Sequence, residues 1–319
     1  MSRVRLAAGA LVAAAILAGC ADGGGTGGDS VSGDVLRIYS SQPLRGTLAE
    51  QARAIVRGEQ LALAQAGGRA GKWRIDYRAL DDSDRVTGTW EPGLVSANAR
   101  TAAQDDETIA YLGEMATGAS AVSIPILNET GILAVSPTDS VTGFTRAAGA
   151  NPGEPDKYYP TRDENFARVV PPDSVQAAAL LQLMQDTRVK RLYVAHDQKL
   201  YGQGVARAVS RGAGAKGVEV VKVQGVDPED AEPANLASEV AASGADAFLY
   251  AGEPVREVPA LYAAVAHAGP RVRLFGTYTQ VGEAFARALA PRTTVLATAP
   301  WLSLGSYPRS ARRVAALYR

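Results

Sequence analysis

The chain of 319 residues sets 33 Lys and Arg against 33 Asp and Glu, is 46% apolar and carries a single cysteine. That balance leaves no basic footprint for nucleic acid, one cysteine permits no internal disulfide, and the composition is that of a globular protein. The length exceeds what one hydrophobic core serves, so two domains or lobes are expected.

The first residues read as an export signal. Arg3 and Arg5 form a positive head, and Leu6 to Leu17 follow as an uncharged apolar run. At about 1.5 Å per residue, such a helix is too short for a hydrocarbon core of roughly 30 Å. A short apolar run with a charged head describes a signal peptide, here residues 1–19. Leu17-Ala18-Gly19-Cys20 resembles the lipobox of bacterial lipoproteins. That likeness implies a diacylglyceryl thioether, with acyl chains such as palmitate, on Cys20 and cleavage just before it. An ordinary secretory signal with an accidental cysteine is the alternative. Residues 20–34, rich in Gly, Ser, Thr and Asp, are expected to be a flexible tether. Two acyl chains anchor stably where one does not, so the expected address is the cell membrane, facing the extracytoplasmic side.

Beyond the tether, Leu36 to Tyr39 reads as a strand, Leu48 to Ala66 as a helix stopped by Gly67-Gly68, and Trp73 to Leu80 as a strand. A helix from Val95 to Gln104, a strand Ile109 to Leu112, a helix Ala119 to Asn128 and a strand Ile132 to Val135 continue the alternation. Gly143 to Asp163 interrupts it, with an extended Tyr158-Tyr159-Pro160 expected. Phe166 to Val170 is then read as the strand that opens the second lobe, followed by a helix Ser174 to Asp186 capped by Ser174 or Asp173. Arg191 to Ala195, Glu219 to Val223, Ala247 to Tyr250, Arg273 to Phe275 and Thr294 to Ala297 complete the strands. Helices are expected near Gly202 and Asn235 and from Pro254 to His267. Alternating strand and helix implies βαβ units on parallel sheets, divided into an N-terminal lobe at 35–165 and a C-terminal lobe at 166–300. In open α/β sheets, ligands sit beyond the carboxyl ends of the strands, here the cleft between lobes.

Gly113 to Ser120 follows a strand and opens a helix, so free N–H groups with the hydroxyls of Thr117 and Ser120 suit an anion; N-capping by Thr117 is the plain alternative. Ser136 to Ser140 lies at the next strand end, on the same rim. Asp81 to Asp84 lacks a calcium-loop pattern, and His196 and His267 have no Cys or second His at ligand spacing, so no metal is expected. Tyr201-Gly202-Gln203-Gly204 is too short for a dinucleotide fingerprint, and no nucleophile elbow is present. No cofactor is implied.

Tyr39 to Gly46, Asn128 to Ile132 with Val135-Ser136-Pro137, His196-Asp197 with Tyr201 to Gly204, and Ser243 to Ala247 occur in an order and spacing that resembles the type I periplasmic-binding family. More narrowly the chain resembles the leucine/isoleucine/valine-type (branched-chain amino acid) substrate-binding proteins of ABC transporters. The resemblance implies two Rossmann-like lobes, three crossovers and a ligand trapped by hinge closure. It implies that Thr117, Gly118, Ala119 and Ser120, with Thr138 and Ser140, grip a ligand carboxylate, beside Ser41 after the first strand. Tyr201 would close over the ligand from the second lobe. Where relatives place an ammonium-binding glutamate this chain has Tyr278, and Glu253 on a neighbouring strand end is the candidate replacement.

Relatives continue past the last strand with a crossover back to the first lobe. Residues 301–319 read as the start of that crossover, apparently cut short. The expected function is a non-catalytic receptor for an amino acid or similar small polar solute, feeding the permease subunits of an ABC importer. A sensor module of the same fold, and less so an extracytoplasmic hydrolase or transferase, are the alternatives.

Overall fold

The computed structural model describes residues 33–85, 89–301 and 304–318. The expected signal peptide, Cys20 and nearly all of the tether lie outside the described residues. Asp34–Arg319 forms one compact unit. Among the described residues no helix is long and apolar enough to cross a membrane.

Val35–Gln42 (β1), Arg69–Ala70 (β2), Trp73–Asp81 (β3), Thr108–Leu112 (β4), Leu133–Ser136 (β5) and Phe166–Arg168 (β6) form the first sheet, in the order β2-β3-β1-β4-β5-β6. Its pairs are parallel apart from the β2–β3 hairpin. Ala49–Gln65 (α1), Pro92–Ala103 (α2) and Thr117–Glu129 (α3) are its crossover helices. Helix α1 ends where Gly67 and Gly68 take positive φ, the left-handed backbone that glycine adopts without strain. Helix α2 starts with Pro92 at its first position, while the Glu91 carboxylate accepts the N–H groups of Gly93 and Leu94 at 2.9 and 2.7 Å; both features satisfy the free donors of a helix start.

The chain then runs through Asp173–Asp186 (α4), Arg191–His196 (β7), Leu200–Ala213 (α5), Glu219–Gly225 (β8), Pro233–Ala242 (α6), Ala247–Ala251 (β9), Val258–Ala268 (α7), Arg273–Gly276 (β10), Glu283–Ala288 (α8), Val295–Ala297 (β11) and Arg309–Tyr318 (α9). Strands β11-β10-β9-β7-β8 form a second, parallel sheet. Side chains alternate across it. Leu192, Val194, Leu249 and Ala251 pack against α4 and α5, while Tyr193, Ala195, Phe248 and Tyr250 pack against α6 and α7. All of β9 is buried, as a central parallel strand covered on both faces must be. The fold is therefore α/β, with two Rossmann-like lobes on parallel sheets.

In the first sheet the strand order reverses between β1 and β4, and in the second between β7 and β9. Ligands of open α/β sheets sit outside the strand ends at such reversals. The carboxyl ends concerned are Ser41-Gln42 and Gly113-Glu114 in one lobe, and His196-Asp197 and Gly252-Glu253 in the other.

Three local expectations are corrected, and one strand is added. Phe166–Arg168, expected to open the second lobe, pairs with β5 instead, so a division at residue 165 cuts through the first sheet. The reason is the Phe166 ring, which packs edge-on against Phe144 at 5.7 Å in the first-lobe core. Tyr158 is not extended: it ends a 3-10 turn, its ring lies 4.8 Å from Phe144, and its hydroxyl donates to Glu154 Oε1 at 3.0 Å. Neither Asp173 nor Ser174 caps α4. Its N-cap is Pro172, and the N–H groups of Asp173 and Ser174 donate to the Ser140 carbonyl at 2.7 Å and to Thr142 Oγ1 at 3.2 Å. Finally β2, unread in the sequence, forms a hairpin with β3. At the far end α9 contacts α1.

Candidate functional site

The first-lobe rim rests on a buried acid pair. Ser41, Glu114 and Tyr111 have no exposure and Asp82 has 1%. Tyr111 donates to Glu114 Oε1 at 2.7 Å, while Ser41 donates to Asp82 Oδ2 at 3.1 Å and accepts from Asn98 Nδ2 at 3.0 Å. Burial pushes the Asp82 carboxyl up to about 6, and burial beside Asp82 holds Glu114 well above the carboxylate range. Two carboxyls removed from water cannot both ionise cheaply. Ser41 thus has its hydroxyl engaged both as donor and as acceptor beneath the rim.

The Gly113-to-Ser120 segment divides in two. The N-cap of α3 is Ala116, which has no capping oxygen, so Thr117 is the first helical residue and not the cap. Ala119 packs with Val95 and Ala116. Ser120 is buried, and its Oγ accepts the Glu114 N–H at 3.4 Å. These two face the lobe interior, contrary to expectation, because α3 turns that side onto α2. Gly118 carries the aromatic ring of Trp90: a Cβ at Gly118 would lie 2.6 Å from Trp90 Cζ2. Thr117 lies near the Tyr278 phenol and acts to lower its pKa, against the burial that raises it.

In the next loop Ser136 Oγ donates to the Glu114 carbonyl at 2.7 Å and accepts the Asp139 N–H at 2.8 Å. Thr138 Oγ1 donates to the Met115 carbonyl at 2.5 Å, so both loops are tied together. Ser140 Oγ lies 3.5 Å from Tyr278 Oη, which also donates to the Thr138 carbonyl at 3.4 Å. Asp139 is fully buried and burial drives its carboxyl well up.

Tyr278 follows β10 in a 3-10 turn closed by a capping box between Thr277 and Gln280. Gln280 Nε2 and Thr279 Oγ1 donate to the Gly252 carbonyl at 2.9 and 2.6 Å, which fixes the turn to the end of β9. The Tyr278 ring meets Tyr201 at 5.4 Å and Trp301 at 6.3 Å, both edge-on. Tyr201 is 4% exposed, and its hydroxyl donates to Gln176 Oε1 at 2.9 Å. A cavity of about 70 Å³ is lined by Ser140, Gln176, Tyr278, Val175 and Pro300 among others.

Glu253 is placed elsewhere. Its carboxylate takes the Lys199 ammonium at 2.6 Å, and its N–H donates to Asp197 Oδ2 at 2.8 Å. The negative charge expected to replace the family's glutamate is already paired. Of the sequence candidates, the structure brings Thr117, Thr138, Ser140, Tyr201 and Tyr278 together, with Gly118 at their edge; Ser41, Ala119, Ser120 and Glu253 point elsewhere. Sequence reasoning missed Gln176, Trp90 and Trp301, and took Asp173 for a cap. A helix start with an acid and a glutamine one turn apart was the available signal.

The sequence profile of the family described as periplasmic binding protein matches residues 37–319. A curated relative, "Leu/Ile/Val-binding protein homolog 3" of Brucella melitensis, is 25% identical over 214 residues, covering 66% of this chain and 52% of the relative. The chain thus spans about half the length of that relative. Among solved structures, a solute binding protein of R. palustris in complex with 4-hydroxybenzoate superposes with a TM-score of 0.74 at 14% identity, over 89% of this chain and 73% of that one. A leucine binding protein from Thermotoga maritima gives 0.73 at 18% identity, over 89% and 75%. A branched-chain amino acid transporter substrate binding protein from Streptococcus pneumoniae, in complex with isoleucine, gives 0.71 at 16%, over 89% and 76%. At these identities the likeness is one of fold.

Proposed function

The chain belongs to the periplasmic binding protein family, and from that membership we propose that it is an extracytoplasmic solute receptor of an ABC importer. It captures an amino acid or similar small polar solute between its lobes and presents it to the permease subunits. Cys20, lipidated, holds it at the outer face of the membrane. The observation that carries this reading is the seam at Tyr278: a phenol from the second-sheet rim reaches Ser140 and Thr138 on the first. A ligand that binds only when those rims meet shifts the protein toward the closed form by its differential affinity. No bond need be made or broken. The His196 imidazole, the natural base for an enzyme reading, is held in a turn, its Nδ1 accepting the Gln198 N–H at 3.1 Å.

A second reading, an aromatic carboxylate as solute, draws support from the fold neighbour bound to 4-hydroxybenzoate and from the aromatic edges of Tyr201, Tyr278 and Trp301. A thermal-shift screen separates the two, because a saturating ligand raises the melting temperature by linkage. Leucine, isoleucine or valine should raise it; a shift with 4-hydroxybenzoate alone favours the second reading. A flat response to all of them sinks both.

A further inference from the structure

We propose that the hairpin tip at residues 69–74 is a docking surface for anionic phospholipid headgroups, and that it lays the first lobe against the bilayer to which the tether leads. The inference takes from the reading above only the lipid address of Cys20, and it concerns a face remote from the solute site.

Strands β2 and β3 form the edge of the first sheet, joined by a two-residue turn at Gly71-Lys72. The Arg69 guanidinium donates to the Lys72 carbonyl at 2.6 Å and closes the turn. This tip sits beside the entry of the chain into the fold. The Arg74 N–H donates to the Asp34 carbonyl at 2.8 Å, and Val35 pairs with Arg74 across the parallel ladder. The fourteen residues from 21 to 34 can span at most about 50 Å, so whatever holds Cys20 keeps this pole of the lobe close. The strand ends bearing Ser41 and Glu114 lie at the opposite pole, so a docked tip leaves the proposed cleft turned to the medium.

The charge of the tip suits an anionic surface. Arg69, Lys72 and Arg74 are exposed, and no acid occurs in the sequence between Glu59 and Asp76. Both flanking acids are committed: Glu59 accepts the Tyr77 phenol at 2.6 Å, and Asp76 bridges Arg37 and Arg78. Asp34 brings one exposed carboxylate to the same end, which leaves three cations to one anion. Among the described residues none of the three cations is in an ion pair.

Arg69 and Arg74 stand directly opposite each other in the antiparallel pair, where like charges cost stability. Edge strands carry cations to deter pairing with another sheet, an end that requires neither a repulsive pair nor a place beside Asp34. Trp73 lies next to them, with the Lys72 ammonium 4.6 Å over its ring, and indoles favour the membrane–water interface. Each cation at an anionic bilayer strengthens binding by about fivefold. That is weak for a free protein, but a tether makes the contact intramolecular, at an effective concentration of about millimolar.

Vesicle cosedimentation tests the assignment with the full chain carrying Cys20→Ser, so that no acyl chain contributes. The vesicles are phosphatidylcholine with and without about 30% phosphatidylglycerol. Residues 1–19 are common to every protein compared, so differences between variants read the tip. The parent should bind the anionic vesicles more tightly than the neutral ones and lose that preference near 1 M salt, where screening is nearly complete. Lys72→Glu with Arg74→Glu should weaken anionic-vesicle binding at least tenfold. That variant should melt no lower than the parent, because the second change sets an acid opposite Arg69. Arg211→Glu with Arg271→Glu makes the same change of charge at two exposed cations of the second lobe and should weaken binding less than threefold. Equal binding to both vesicles, binding that survives the tip reversal, or equal loss in the two double variants overturns the proposal. The address is judged apart: a Cys20 chain purified from cells without the diacylglyceryl mass overturns the address alone, since the vesicle contrast does not depend on it.

Discussion

Tyr278 Oη and Ser140 Oγ lie 3.5 Å apart although 138 residues separate them in the chain. One residue belongs to the second-sheet rim and the other to the first, so this pair joins the two rims across the proposed cleft. Removing the phenol oxygen while keeping the ring isolates its hydrogen bonds. Tyr278→Phe should weaken solute binding by about fivefold, the worth of roughly 1 kcal/mol for a net hydrogen bond. Titration calorimetry reads this directly, and an unaltered dissociation constant would take Tyr278 out of the site.

Gly118 and Trp90 offer a test of packing at the same rim. An alanine methyl at 118 would press 2.6 Å from the indole, and overpacking of this kind costs about 1–3 kcal/mol. Gly118→Ala should lower the melting temperature by several degrees. Adding Trp90→Leu should recover part of that loss, since neighbours that collide are not additive. A plain sum of the two single effects in thermal melts would show that the ring does not set the constraint.

Glu253→Gln should change solute affinity less than twofold, because its carboxylate is committed to Lys199 at 2.6 Å and the ammonium is 54% exposed. Exposed pairs contribute about 0–1 kcal/mol, so the melting temperature should also move little. A loss of tenfold or more in affinity would restore Glu253 as a ligand group.

The unliganded protein should lose stability as pH rises. Burial raises Asp173 from 3.8 to about 7, so the folded protein holds this proton more firmly than the unfolded chain does. Between about pH 4 and 7 the native state binds more protons, and the stability fully present below that window is lost as pH climbs through it. Asp82, raised by burial to about 6, adds to the same trend. Asp173→Asn should flatten the decline and melt no lower than the parent at pH 8. Chemical unfolding at pH 5 and pH 8 measures the difference, and a steeper decline in the variant would reverse the sign argued here.

Most strands and helices of both sheets, β2 apart, were legible because their cause is local. Alternating apolar residues at Trp73 to Leu80, or the wholly apolar β9, report burial without reference to distant partners. The site was legible only in outline. Ser41 looks available until its partners Asp82 and Asn98 are seen, the latter 57 residues away. Glu253 looks unpaired until Lys199 arrives from 54 residues upstream. Phe166 carries a strand signal but nothing local says which sheet receives it; that is decided by Phe144 and Tyr158. A hydroxyl or a carboxylate declares its chemistry in sequence, whereas its vacancy depends on who else reaches it.

The arrangement of indoles supplies an optical gauge. The chain has three tryptophans. Trp90 rests on Gly118 beside Thr117, and Trp301, 48% exposed, meets Tyr278 edge-on, so both flank the mouth of the cleft. Trp73 starts β3 at the opposite end of its strand and acts as a constant background. If a solute enters the proposed cleft, emission from the unlabelled protein should track occupancy, and stopped flow should then read the rates of capture and release without an attached dye.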